Sequence, residues 1–407
     1  LLQPDIESRL ETNLVALALQ HTIAMVSSNS DPDTMTLDEA LRQPDRHEFI
    51  KAMHKELSDH IQRKHWKVVP LKSIPANKRA IPMVWSMKRK RNPIGEITKW
   101  KARLCAGGHR STQFVDYWST YSPVVSSSTD LILEVMALVN NWKMQSIDFV
   151  LAFPQAPIQT DIYMKPPKVP PNFPIPDLPF NSRFSKCYKL LQNLYGLCDA
   201  GKTWFDYLKA GLLRRGWKVS EIDGCLFTKG DIMLVVYVDD AILISPHHHR
   251  IEAEIASLQK DFDLTNDGPL EDYLGTRFTR RDDGSVELSQ TRMIEKVLRL
   301  VGLDPDTNRV KMHDTPASDS KLLDQDPSGK PRQQPWNYRA AVGALSYIQL
   351  MIRPDITMPV QHFARFCNNP TKEHEEAVKR ICRYLLRTKD KGLVLKPDRT
   401  KGLECYV

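Results

Sequence analysis

Two adjacent carboxylates, Asp239 and Asp240, interrupt an apolar run of thirteen residues from Ile232 to Ile244. Burying that run draws both acids toward a low-dielectric wall, where like charges repel and one carboxyl takes up a proton unless a cation compensates. A divalent ion with a preference for hard oxygen ligands removes the conflict without protonation, so the pair points to Mg²⁺. The competing reading is an ordinary hairpin whose Asp-Asp supplies turn residues to water. A third acid, Asp148, lies near the end of Lys143–Phe149, which reads as a strand. A strand-end carboxylate beside a hairpin-tip pair can bracket two metals. One lowers the pKa of an attacking 3′-hydroxyl and the other steadies a leaving pyrophosphate, at a separation of roughly 3.5–4 Å. Phosphoryl transfer is the chemistry such a trio would perform.

Charge elsewhere suggests the substrate. Residues 64–110 carry thirteen Lys or Arg against one acid, Glu96, whereas residues 1–60 carry five against eleven. The first segment, at +12, exceeds the +8 of the whole chain. With Trp66, Trp85 and Trp100 interleaved, it is either a phosphate-binding surface with rings to stack on bases or a solvated basic loop. At 407 residues and 41% hydrophobic composition the chain can bury a core and should divide into more than one domain. Seven dispersed cysteines show no zinc-ligand spacing and fit a reducing intracellular compartment. The start at Leu1-Leu2-Gln3-Pro4 and the interruption of Leu14–Met25 by Gln20, His21 and Thr22 read as a fragment without signal peptide or membrane span. His247-His248-His249 reads as exposed loop, since adjacent residues rarely face one metal.

The elements that must position these groups follow from periodicity. Residues 1–35 read as tail, with a polar turn-forming run from Ser27 to Asp33. Thr36 with Glu39 forms a capping box for a helix through about Gln62. Residues 66–110 form a projecting β-rich unit with a hairpin turn at Asn92-Pro93-Ile94-Gly95. Ser128-Thr129-Asp130 caps a helix with an apolar face of Leu131, Ile132, Val135, Met136, Leu138 and Val139. Seven prolines in 165–180 make an extended loop, and helical patterning resumes over Leu197–Leu213. Cys225–Ser245 reads as strand, Lys229-Gly230-Asp231 turn, strand to Val238, Asp239-Asp240 turn, and strand from Ala241. A helix near Arg250–Phe262 follows, then a β unit over Tyr273–Leu288 and a helix over Thr291–Val301. Residues 313–337 form a polar linker, and Tyr338–Arg387 is largely helical around Pro354 and Pro370.

Tyr237-Val238-Asp239-Asp240 between apolar strands resembles the YxDD box of reverse transcriptases, and Ser146-Ile147-Asp148 resembles the start of their preceding aspartate motif. Trp100–Gly108, Tyr121–Val125, Asp148–Phe153, Leu194–Leu197, Tyr273–Gly275 and Leu288–Gln290 match, in order, the copia-type LTR retrotransposon branch. The resemblance implies an α+β right-hand polymerase with basic fingers, a palm on a ferredoxin-like antiparallel sheet, a thumb, and a C-terminal connection region. Its implied spans are a tail over 1–46, fingers, palm and thumb over 47–312, and linker plus connection over 313–407 before an RNase H domain.

By resemblance, Asp148, Asp239 and Asp240 are catalytic and hold two Mg²⁺, with Mn²⁺ as substitute. Lys88, Lys101, Arg103, Phe153 and Gly196 bind the nucleotide, Phe153 as a steric gate against the 2′-hydroxyl. Tyr237, Tyr273, Leu274 and Gly275 meet the primer and template. The implied partners are an RNA or DNA template, a DNA or tRNA primer and dNTPs, with no membrane, in a cytoplasmic virus-like particle for an intact element. One departure is Asp199-Ala200-Gly201 where the family commonly has Gln-Ala-Pro; an acid there would repel a triphosphate. A remnant that only binds nucleic acid is the alternative. A metal-dependent nuclease or phosphatase ranks last, because it leaves the basic segment and Phe153 unexplained.

Overall fold

The computed structural model describes residues 33–91, 96–171, 173–175, 185–304, 311–318 and 329–396, with 398 and 400. The expected tail up to residue 32, the turn at 92–95, parts of the Pro-rich loop and linker, and the end from 401 lie outside the described residues. Contacts divide the described residues into two compact units, 33–125 with 143–268, and 126–142 with those described from 269 to 400. The division at 268 falls inside the span 47–312 that the resemblance assigns to a single polymerase region.

The first unit opens with β1 (Thr34–Met35), α1 (Leu37–Leu41) and α2 (Arg46–Gln62). The capping box at Thr36 is present, but the single helix expected over 36–62 is two. Pro44 lies in the break; it lacks an N–H and disfavours helical backbone in the residue before it. β1, expected as tail, pairs Thr34 with Lys88. Next come β2 (Trp66–Pro70), β3 (Ala80–Ile81), β4 (Met83–Arg91) and β5 (Ile97–Ala106).

These strands do not form one projecting unit. β4 and β5 make an antiparallel hairpin, with β1 as its third strand, whereas β2 and β3 join a separate sheet. One hairpin face buries Met83, Trp85, Met87, Ala102 and Leu104 in a core shared with Phe49, Met53 and Leu57 of α2. Arg89 and the Trp100 indole both donate to the Asp45 carboxylate, a part-buried anchor. Trp66 and Trp85 are buried as well, so the three interleaved tryptophans serve the core and not base stacking.

After α3 (Ser127–Val139), part of the second unit, the chain forms β6 (Lys143–Phe149), α4 (Ala152–Gln155), β7 (Tyr163–Met164), β8 (Lys186–Leu190) and α5 (Ala200–Arg214). β9 (Lys218–Val219), β10 (Leu226–Lys229), β11 (Ile232–Tyr237), β12 (Asp240–Ser245), α6 (His248–Leu258) and β13 (Leu264–Pro269) complete the first unit. The four-stranded sheet runs β2-β8-β7-β3, and the six-stranded sheet runs β13-β6-β12-β11-β10-β9. The middle of this larger sheet is near-continuously apolar because it is covered on both faces, which explains the thirteen-residue run.

The second unit holds β14 (Asp272–Tyr273), β15 (Thr276–Arg280), β16 (Val286–Ser289), α7 (Thr291–Leu300), α8 (Tyr338–Met351), α9 (Thr357–Ala364), α10 (Lys372–Arg387) and β17 (Leu393–Leu395). Its core gathers Ile294, Leu298, Leu345, Ile348, Ile381 and Leu385, with Leu131 and Leu138 of α3 packed against it. α3 begins after Ser126, and its buried residues are Asp130, Leu133, Glu134 and Ala137, while Ile132 and Met136 are exposed. The apolar face expected there is therefore rotated, and two acids are buried. No described helix is long and apolar enough to cross a membrane.

Candidate active site

β6 and β12 are antiparallel neighbours, and their register sets Asp148 directly opposite Asp240. Side chains of directly opposed residues share a sheet face with Cβ atoms roughly 4.5–5.5 Å apart, so two acids remote in sequence become neighbours. The β11–β12 turn is Val238-Asp239, closed by the pair Tyr237–Asp240, so Asp240 starts the strand where the sequence suggested it sat in the turn. Val238 has φ +58°, a left-handed conformation that a β-branched side chain rarely adopts.

Two bonds hold this strained tip. The Trp204 indole N–H donates to the Val238 carbonyl (2.6 Å), and the Phe149 N–H donates to the Asp239 carbonyl (2.8 Å). Trp204 is itself buried, edge-on to Phe149 and Phe262. Phe149 follows Asp148, so one core cluster locates both the strand end and the tip.

Electrostatics report how closely the acids gather. Burial lifts the Asp240 carboxyl to about 7, with Asp239, Asp148 and Asp267 adding to the shift and Lys90 opposing it. Asp148 is raised by burial, then by Asp239 and Asp267, against Lys101 and Lys90. Asp267 on β13 escaped sequence reasoning because only the sheet order brings that strand beside β6. An all-oxygen donor set with unbalanced negative charge fits a hard divalent cation. Among the described residues no three His, Cys, Asp or Glu side chains are already drawn together as a cation cage.

The hairpin's other face is cationic. Register pairs Lys88 with Lys101, Lys90 with Lys99 and Ser86 with Arg103, so these alternating residues share one surface. Burial, together with Arg103 and Lys90, pulls the Lys101 ammonium down to about 8. Lys90, absent from the sequence expectation, acts on both Asp148 and Asp240.

The Arg103 guanidinium lies 4.0 Å over the Tyr195 ring, and that ring packs at 4.8 Å against Phe153. Burial pushes the Tyr195 phenol up to about 12, with Arg103 opposing and Asp239 and Asp148 reinforcing. Leu151 takes φ +49° to launch α4, and the Gln155 amide donates to the Val150 carbonyl (2.7 Å), bracing the turn that carries Phe153.

Gly196 has φ +89°, and a Cβ there would lie 2.2 Å from the Ala106 carbonyl oxygen. Ala106 N–H donates to the Tyr195 carbonyl (2.7 Å) and Gly108 N–H to the Gly196 carbonyl (3.1 Å). The glycine thus lets this turn dock on the end of β5, which sets Tyr195 under Arg103.

Tyr237 ends β11 beside the tip. Tyr273, Leu274 and Gly275 belong to the second unit, in a turn with φ +50° at Leu274 and +77° at Gly275. Tyr273 is buried, and the Leu274 carbonyl accepts from the Tyr347 hydroxyl (2.5 Å). Asp199 precedes α5, its carboxyl raised by burial. It acts on Tyr117 and Cys198. His248 opens α6 and pairs with Glu252.

The family model for reverse transcriptase (RNA-dependent DNA polymerase) matches residues 63–314. The chain is 31% identical, over 94% of its length, to the retrovirus-related Pol polyprotein from transposon RE1 of Arabidopsis thaliana, of which it covers 25%. It is 28% identical over 89% of its length to that from transposon TNT 1-94 of Nicotiana tabacum, covering 27% of that protein. Against the transposon Ty1-H Gag-Pol polyprotein of Saccharomyces cerevisiae it is 24% identical over 89% of the chain, covering 20%. The chain therefore spans about a quarter or less of the length of these curated relatives.

Proposed function

Because the chain belongs to the reverse transcriptase (RNA-dependent DNA polymerase) family, we propose that it is a template-directed DNA polymerase of a copia-type Pol polyprotein, joining dNTPs to a primer 3′-hydroxyl on an RNA or DNA template. The observation that carries this reading is the register of β6 on β12, with Asp148 opposite Asp240 beside the tip that holds Asp239. In the right-hand description, the six-stranded sheet is the palm, the β4–β5 hairpin the fingers, and the second unit the thumb and connection.

Asp148 and Asp239, supported by Asp240, would hold two Mg²⁺, with Mn²⁺ able to substitute. Bound there, the metal ions supply a lowered pKa for the primer hydroxyl and charge stabilisation for the pyrophosphate leaving group. Lys101 and Arg103, with Lys88 and Lys90 on the same face, hold the triphosphate; a guanidinium suits bidentate phosphate contact. Phe153, backed by Tyr195, excludes a ribose 2′-hydroxyl by collision. Gly196 positions that backing ring, and Tyr237 lies by the primer end. Tyr273, Leu274 and Gly275 form a primer-grip turn in which the backbone makes the contact, since the Tyr273 ring is buried. A DNA or tRNA primer would serve.

Primer extension tests this reading. With oligo(dT) on poly(rA), dTTP and Mg²⁺, the chain should extend the primer, and Asp239→Asn should abolish extension. No product at any enzyme concentration would leave a nucleic-acid-binding remnant as the better description.

A further inference from the structure

Strand β5 lies at the edge of the sheet β1-β4-β5, yet two of its outward amides are bonded. Ala106 N–H donates to the Tyr195 carbonyl. Leu104 N–H donates to a side chain, the Glu56 carboxylate of α2, at 3.0 Å. That side chain is only 13% exposed, and the same oxygen, Oε1, lies 3.4 Å from Nε2 of the buried His60. A carboxylate taken largely out of water needs such donors, and its bond to an N–H is stronger than one between neutral groups. Leu104 directly follows Arg103, so α2 grips β5 beside the cationic face of the hairpin.

Two histidines fix the orientation of Glu56. His60 and His65 are both buried, and their Nδ1 atoms are 2.7 Å apart. Burial, helped by His60 and Arg63, pulls the His65 imidazole down to about 4, so this ring is neutral near pH 7. Two neutral rings place a proton in both contacts in one way: His65 Nδ1–H donates to His60 Nδ1, and His60 Nε2–H faces Glu56. A protonated His60 would point Nε2–H the same way. The pair is itself immobilised, because the His65 carbonyl accepts from Leu191 N–H (2.8 Å) and Gln192 N–H (3.1 Å). His60 also stacks on Trp66 at 4.8 Å.

We propose that Glu56, oriented by His60 and His65, is a positioning residue for the incoming nucleotide, holding β5 so that Lys101 and Arg103 meet the triphosphate. Its influence runs through Leu104 to Arg103, whose guanidinium lies over the Tyr195 ring that backs Phe153. Glu56 also acts electrostatically on Lys101 and Tyr195, but that effect has the opposite sign. A carboxylate near cations weakens their hold on an anion, whereas an anchored strand strengthens it by keeping the cations preorganised. The two roles are therefore separable by substitution. The assignment of the triphosphate to this face rests on the polymerase reading.

The test pairs primer extension by the full chain, with dTTP varied on poly(rA) and oligo(dT), with calorimetric titration of inorganic tripolyphosphate in Mg²⁺, which needs no catalysis. Glu56→Asp keeps the charge but withdraws the oxygen by one methylene; Glu56→Gln keeps the oxygen and removes the charge. Glu56→Asp should raise the dTTP KM about tenfold, as for the loss of one charge-assisted hydrogen bond, and change kcat by less than about twofold. It should weaken tripolyphosphate binding to a similar degree. Glu56→Gln should bind both at least as tightly as wild type. His60→Phe keeps the stack on Trp66, removes the proton facing Glu56, and should move KM in the direction of Glu56→Asp. Circular dichroism confirms that each variant is folded. An unchanged KM in Glu56→Asp, or an equal rise in Glu56→Gln, overturns the positioning role. A chain that extends no primer while its tripolyphosphate affinity follows this pattern sinks the polymerase reading and leaves the positioning of the cations standing. A wild-type chain that neither extends nor binds tripolyphosphate overturns both.

Discussion

The carboxyl of Asp240, lifted to about 7 by burial and by Asp239, Asp148 and Asp267, makes proton and metal competitors for one oxygen. Below that pH a proton must leave before an ion binds, so Mg²⁺ affinity should fall about tenfold per pH unit. Calorimetric titration at pH 6 and pH 8 checks this; equal affinities contradict it. At the nucleotide, Phe153→Val should raise ribonucleotide incorporation relative to dNTPs, and an unchanged ratio removes the gate assignment. Much of this residue-scale description was legible, because Asp148, Asp239 and Asp240 stand out as acids in apolar runs. Lys90 and Asp267 were not, since their influence depends on which strands pair. The turn was misplaced by one residue because nothing in a valine announces a positive φ, and the Trp204 indole that braces Val238 lies 34 positions away.

Among the elements, the turn carrying Gly196 and the end of β5 are fitted to each other without space for a methyl group. Gly196→Ala combines positive-φ strain with a backbone clash and should destabilise the chain by about 3 kcal/mol or more, measured by urea unfolding. Helix α3 offers the opposite sign. Burial, reinforced by Asp130, raises the Glu134 carboxyl to about 8. A folded-state pKa above the unfolded value means that this group's stabilising contribution is complete below about pH 4.5 and is lost as pH rises to about 8. Glu134→Gln should therefore stabilise the protein on the order of 3 kcal/mol at pH 9 and hardly at all at pH 4; a pH-independent difference contradicts it. Strand β6 has the limits its sequence suggests, since alternation and length define it. The buried face of α3 was not legible, because Ile132 and Met136 are as apolar as the residues that pack, and only the tertiary partner decides which side is covered.

For the whole molecule, a basic segment of 64–110 and an acidic cluster farther along the chain become two charged surfaces of one unit. The tryptophans that composition offered for stacking went into the core. Composition gives the partner's charge, while packing decides which side chains reach it. The central claim is that Asp148 and the 239/240 pair share divalent cations. The most direct measurement is Mn²⁺ titration, followed by electron paramagnetic resonance, of the full chain bound to primer–template and a non-hydrolysable dNTP. Two ions should bind to wild type, and both Asp148→Asn and Asp239→Asn should lose tight binding. Occupancy in Asp148→Asn equal to that of wild type would contradict the account.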